Sequence, residues 1–115
     1  MSDLKARPFE DEAPHRASTY AQFLVHTDEL APRIEVVGEI DLSNADALAR
    51  CLLPVTPGES VVIDLTRLEF IDSSGLGVLV HTANHGVRLT CRGAAGPVRR
   101  AIQICGLDAL LTLAD

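Results

Sequence analysis

Asp72-Ser73-Ser74-Gly75 is the stretch of this chain whose residue types and spacing could do chemistry. It follows the β-branched run Ser60–Leu65 and precedes Leu76, Leu79, Val80 and Ala83, which recur at helical spacing. The spacing predicts a strand, a connection and a helix that opens on two hydroxyls. In open α/β sheets the carboxyl ends of strands and the N-termini of the following helices form the functional edge. A phosphate on Ser73 would meet the positive end of that helix, a field worth ~0.3–1 kcal/mol at an exposed terminus. Asp72 beside it adds negative charge of its own. The residues leave two readings open: Ser and Asp that only cap a helix, or a modification site read by a partner. A serine nucleophile is a third. It needs a base within hydrogen-bond reach, but there is no GxSxG elbow, and His81 and His85 lie about two turns further along the same helix, roughly 10 Å away.

His81 and His85 are four apart, a metal-compatible spacing, but no HExxH pattern or third ligand accompanies them. They read as a solvated helix end, and no metal or cofactor is expected. Gly75 and Gly77 belong to neither GxxxxGK[ST] nor GxGxxG. Gly77 falls inside the helical pattern, where glycine costs ~1 kcal/mol against alanine; close packing of helix on sheet is the expected reason for it.

The elements around this stretch follow from periodicity. Residues 1–18 mix Pro, Ser and charge without an apolar pattern and read as a flexible tail, with the folded domain spanning 19–115. Tyr20–His26 and Arg33–Ile40 read as strands; in the second, Ile34, Val36, Gly38 and Ile40 share one face. The turn-rich link 27–32 makes them an antiparallel hairpin. Ser43 is an expected N-cap, with Asp46 in the capping-box position. Ala45, Leu48, Ala49 and Leu52 follow on one helical face, and Pro54 ends the helix. Ser60–Leu65 reads as a central parallel strand and Val87–Cys91 as another. Pro97 sits in the first turn of a third helix, whose buried stripe is Val98, Ala101, Ile102 and Cys105 and whose stop is Gly106. Leu110–Leu113 reads as a last strand. The expected order is β-β-α-β-α-β-α-β, a single α/β domain with a mixed, mostly parallel sheet and right-handed crossovers.

Composition bounds the function. The chain has 115 residues, room for one domain. It is 47% hydrophobic but only 3% aromatic, so the core must be aliphatic. No apolar run approaches the ~20 residues that span a bilayer, and the N-terminus leads into Glu10-Asp11-Glu12 instead of a signal peptide's apolar stretch. A net charge of −6 argues against nucleic-acid binding. Of 16 acidic residues, 14 lie at or before Asp72, an asymmetry that could steer a basic partner surface. Cys51, Cys91 and Cys105 lie among apolar neighbours without CxxC spacing and read as buried reduced thiols of a cytoplasmic protein.

Phe70-Ile71-Asp72-Ser73-Ser74-Gly75-Leu76-Gly77 resembles the signature of STAS domains that act as anti-sigma factor antagonists. Gly38-Glu39-Ile40-Asp41 resembles the family's turn after its second strand, Val62-Ile63-Asp64-Leu65 its central strand, and Ala101–Leu111 its third helix and following segment. The resemblance runs from about Gln22 to Leu113. It implies a STAS-like fold and a binding protein, not an enzyme. Unphosphorylated, it would dock on an anti-sigma factor that is also a serine kinase; phosphorylation of Ser73 would switch it off, and a metal-dependent serine phosphatase would reset it. The implied partner surface is Asp41, Leu42, Ser43, Asn44, Asp72, Ser73, Ser74, Gly75 and Leu76. The second helix closes at His81–Gly86, about two turns earlier than is usual in the family. Two alternatives remain at this point: a STAS accessory subunit of a membrane lipid or anion transport system, and the small serine hydrolase considered above.

Overall fold

A computed structural model describes residues 21–27 and 32–115. The expected tail, Thr19, Tyr20 and the centre of the hairpin link (28–31) lie outside the described residues. In chain order the elements are β1 (Ala21–His26), β2 (Arg33–Ile40), α1 (Ala45–Leu52), β3 (Ser60–Asp64), β4 (Leu68–Ile71), α2 (Ser73–Asn84), β5 (Arg88–Arg92), α3 (Gly96–Ile104), a 3-10 turn at Leu107–Ala109, and β6 (Thr112–Ala114). The sheet runs β1-β2-β3-β5-β6, with β4 also paired to β2. β1 and β2 form the expected antiparallel hairpin, in register from Ala21↔Gly38 to His26↔Arg33. Every other pairing is parallel.

The alternation in β2 holds residue by residue: Ile34, Val36, Gly38 and Ile40 are buried and the residues between them half-buried. Ile34, Val36 and Ile40 join Phe23, Val61, Ile63 and Leu89 in a mainly aliphatic core that also takes Leu48 and Leu52 of α1, Leu79 of α2, and Val98 and Ile102 of α3. Each such side chain contributes about 1.5–3 kcal/mol by leaving water.

Four expectations need correction. The first concerns β4, which was expected to be connection. β3 ends at Asp64, whose Oδ1 accepts the Thr66 N–H at 3.0 Å, and the chain turns. It then resumes beside the same neighbour: β3 pairs with Arg33–Glu35 and β4 with Gly38–Ile40, with an irregularity between Gly38 and Glu39. Only Leu68 and Ile71 of this short strand are buried, so it carries no readable alternation. The second concerns the start of α1. Ser43 does not cap it; the Ser43 hydroxyl donates to Asp41 Oδ1, and Asp46 pairs with Arg50 one turn on. Asn44 precedes the helix but makes no side-chain cap bond. The third concerns Cys105, which is exposed: α3 stops at Ile104, and Gly106 at φ 77° turns the chain away. The fourth concerns the end of the chain, where Leu110 and Leu111 still belong to the turn that follows the 3-10 segment, so β6 begins two residues later than the expected strand. Of the predicted inner face of α2, only Leu79 is fully buried; Leu76, Val80 and Ala83 pack half-buried against the core.

Candidate functional site

The site is assembled by two parallel strand ends. Ile40 pairs with Ile71 where β2 and β4 stop, and the Asp72 N–H donates to the Ile40 carbonyl at 3.0 Å. That bond holds two turns side by side, Asp41–Asn44 after β2 and Asp72–Leu76 after β4. Residues about thirty apart in sequence therefore form one edge of the sheet.

The first turn supports itself. Asp41 Oδ1 accepts from the Ser43 backbone N–H at 2.9 Å and from the Ser43 hydroxyl at 2.6 Å. Asn44 is 2% exposed; its Oδ1 accepts the Asp41 N–H and its Nδ2 donates to the Glu39 carbonyl, both at 2.9 Å. Buried polar groups persist where their bonds are made, and Asn44 makes both ends of its amide count. Leu42, at the crest of the turn, is 80% exposed.

The second turn is the start of α2. Asp72 is its N-cap, and Oδ1 accepts from the backbone N–H of Ser74 at 2.8 Å and of Gly75 at 3.3 Å. Ser73 is the first residue of the helix and is exposed, whereas Ser74 is half-buried. The Asp72 carboxylate thus occupies two of the N–H groups that would otherwise draw an anion to the helix end. A phosphate on Ser73 would sit beside a carboxylate and share what remains of that field. Gly75 is where helix and sheet meet: a Cβ built there would lie 2.6 Å from Ile40 Cγ2 and 2.7 Å from Ile71 Cγ1. Gly77, expected to be the close contact, is exposed, and its Cβ would meet nothing within 4 Å.

Of the nine residues expected in a partner surface, Leu42, Ser43 and Ser73 stand open on this edge, and Asp41, Asp72, Ser74 and Leu76 are half-buried among them. Asn44 and Gly75 are buried and shape the edge from beneath. Phe70, first residue of the signature octapeptide but not among the expected surface residues, is an aromatic 45% exposed on β4 that flanks the second turn; its exposure could not be read while β4 was taken for connection.

The His81 and His85 rings lie with centroids 4.1 Å apart at a tilt of 44°, and His85 Nδ1 lies 2.9 Å from the His81 carbonyl oxygen. Among the described residues no three His, Cys, Asp or Glu side chains cluster as metal ligands. Burial pushes the Cys91 thiol up to about 12. Burial, partly offset by Arg50, pushes Cys51 up to about 11. Asp64 lies away from the site, at the end of β3. Its burial favours the neutral acid, but the Thr66 hydroxyl and amide, Arg92 and Arg33 together outweigh that and hold its carboxyl below the usual range. No helix among the described residues is long and apolar enough to cross a membrane.

Comparison with known proteins follows the same outline. A family model described as Mlab, STAS domain, matches residues 23–112. The chain is 33% identical to an anti-sigma factor antagonist from Mycobacterium paratuberculosis, with a TM-score of 0.67 over 82% of this chain and 85% of the other. It is 21% identical to the anti-sigma factor antagonist SpoIIAA in its unphosphorylated form, with a TM-score of 0.63 over 81% and 88% of the two chains. It is 19% identical to the Bacillus cell fate determinant SpoIIAA in the phosphorylated form, with a TM-score of 0.60 over 81% and 91%. At those two identities the likeness speaks for the fold alone. No curated protein matches the sequence.

Proposed function

The chain belongs to the STAS-domain family of anti-sigma factor antagonists, and from that membership we propose that it captures an anti-sigma factor with serine kinase activity while Ser73 is unmodified and releases it once Ser73 carries phosphate. The observation that carries this reading is the placement of Ser73: an exposed hydroxyl at the first position of α2, bonded through Asp72 to the end of the strand that bears the Asp41–Asn44 turn. In this reading Leu42 is the apolar anchor, buried on binding, and Asp41 meets a basic group of the partner through Oδ2, its Oδ1 being held by Ser43. Anchors of this kind dominate interface energies while the rim excludes water.

Phosphorylation adds about −1.5 to −2 charges next to Asp72, on a face that must lose its water to pack. A charge left unpaired in a closed interface costs several kcal/mol, and 1.4 kcal/mol is already tenfold in affinity. The protein is a substrate of the kinase and of a metal-dependent serine phosphatase that resets it in the cytoplasm.

The test is titration calorimetry of wild type, Ser73→Ala and Ser73→Asp against the kinase captured from the native cell lysate. Ser73→Ala should bind as wild type does, and Ser73→Asp at least about tenfold more weakly, with equal circular dichroism. Equal binding by all three would reduce Ser73 to a helix residue without a switching role. Phosphate mapped to Ser74 or Thr66 would reject the site, and capture of an ABC-type ATPase instead of a kinase would move the protein to a transporter complex.

A further inference from the structure

The seam between α1 and α2 opens into a groove of about 600 Å³. Its sides are Leu52, Leu53, Val55, Val78 and Val87, with the small residues Ala49 and Gly77 between them. Leu53, at its rim, is 75% exposed. Polar groups lie at the two ends of α2: Ser74 at its start, and Thr82, His81 and His85 at its close. From Ser74 to His85 is about 16 Å of helix at 1.5 Å per residue. Long, apolar along its length and polar at its ends, the groove falls in the size range of small-molecule sites, about 300–1,000 Å³.

We propose that this groove binds an aliphatic carboxylate of medium chain length, with its tail along Ala49, Leu52, Gly77 and Val78 and its carboxylate at His81 and His85. The two imidazoles decide the head group. No acidic side chain lines the groove, and an imidazolium donates a charge-assisted hydrogen bond to a carboxylate. With His85 Nδ1 turned to the His81 carbonyl, its Nε2 remains for the ligand. An acyl tail also matches the lining better than a sugar or nucleotide would, since neither finds enough polar partners along the aliphatic walls. The occupied groove would end at Ser74, one residue from Ser73, but the site stands or falls independently of the switch.

The experiment titrates the full chain with dodecanoate below its micelle-forming concentration, read by calorimetry and by amide shifts in two-dimensional NMR. Dodecanol serves as the neutral analogue and acetate as the head group alone. The expected result is saturable dodecanoate binding with shifts confined to α1, α2 and Val87, and no binding of acetate. Gly77→Leu fills the groove from a position whose Cβ has open space, and leucine favours the helix; it should leave the fold at least as stable and weaken dodecanoate by about tenfold or more. His81→Gln with His85→Gln removes a charge-assisted bond and should weaken dodecanoate about tenfold while leaving dodecanol within about twofold. The proposal is overturned by shifts that map elsewhere, by binding that survives Gly77→Leu, or by equal loss of both ligands in the histidine variant. It is also overturned if sedimentation shows a dimer that Gly77→Leu dissociates, since a second copy would then be the occupant.

Discussion

Two glycines two residues apart in α2 should respond to alanine with opposite signs. Gly77 is exposed, inside α2, with nothing within 4 Å of a built Cβ. Gly77→Ala therefore gains only helix propensity, about 1 kcal/mol. At Gly75 the same gain meets Ile40 Cγ2 at 2.6 Å and Ile71 Cγ1 at 2.7 Å. These carbons sit one bond from the Cβ of β-branched side chains, which are stiff at χ1, and both isoleucines are buried. Relief must come from moving the helix, and overpacking of this kind costs about 1–3 kcal/mol. The net for Gly75→Ala is a loss of about 1 kcal/mol. At about 4 °C per kcal/mol for a domain of this size, thermal melts followed by circular dichroism should place Gly77→Ala about 4 °C above wild type and Gly75→Ala about 4 °C below. Because Gly75 lies two residues after Ser73, the displaced first turn should also slow phosphorylation of Gly75→Ala by the captured kinase, and Gly77→Ala should be modified at the wild-type rate. A Gly75→Ala protein as stable as Gly77→Ala would show that α2 is not seated against β2 and β4 as described.

Asn44→Ala leaves the Asp41 N–H and the Glu39 carbonyl without their partner; at about 1–3 kcal/mol for each buried group, urea unfolding should show a loss of about 2 kcal/mol or more, and a loss under about 0.5 kcal/mol would contradict the buried bridge. Asp64 has a depressed pKa, so its contribution is present above the unfolded value of about 3.9 and is lost as pH falls through the lower folded value. Asp64→Asn should accordingly lower the urea midpoint near neutral pH, and the gap should narrow as pH falls below about 3.9; a gap independent of pH would mean that the carboxylate's charge is not what Arg33, Arg92 and Thr66 stabilise. Native alkylation at mildly alkaline pH should label exposed Cys105 and spare Cys91 and Cys51, whose thiols burial holds up at about 12 and about 11; equal labelling of Cys91 would place it outside the core.

Much of this architecture is written in near-neighbour patterns. The alternation of Ile34, Val36, Gly38 and Ile40, the helical spacing after Gly75, and the stops at Pro54 and Gly106 each depend on residues within a turn or a strand of one another. So does the strand-to-helix position of Ser73, and with it the switch candidate. The family resemblance rests on the same local stretches, which is why fold and recognition motif were legible together.

What only the tertiary structure decided involves partners far apart in sequence. β4 exists because the far end of β2 is open to pairing once β3 has turned away, and four residues with two exposed side chains hold no record of that. Asn44 was readable as part of a polar turn; that it bridges Glu39 and Asp41 from a buried position depends on where β2 ends. Glycine marks both close approach and mere absence of a side chain, so Gly75 and Gly77 could be told apart only when Ile40 and Ile71 arrived against one of them. Cys105 has an apolar neighbourhood in sequence, but α3 ends one residue before it and leaves it in water. Pattern along the chain sets which face of an element is apolar, because that depends on local geometry; which apolar faces stay uncovered, as along the α1–α2 groove, is set by how separate elements pack, because burial is a property of the assembled surface.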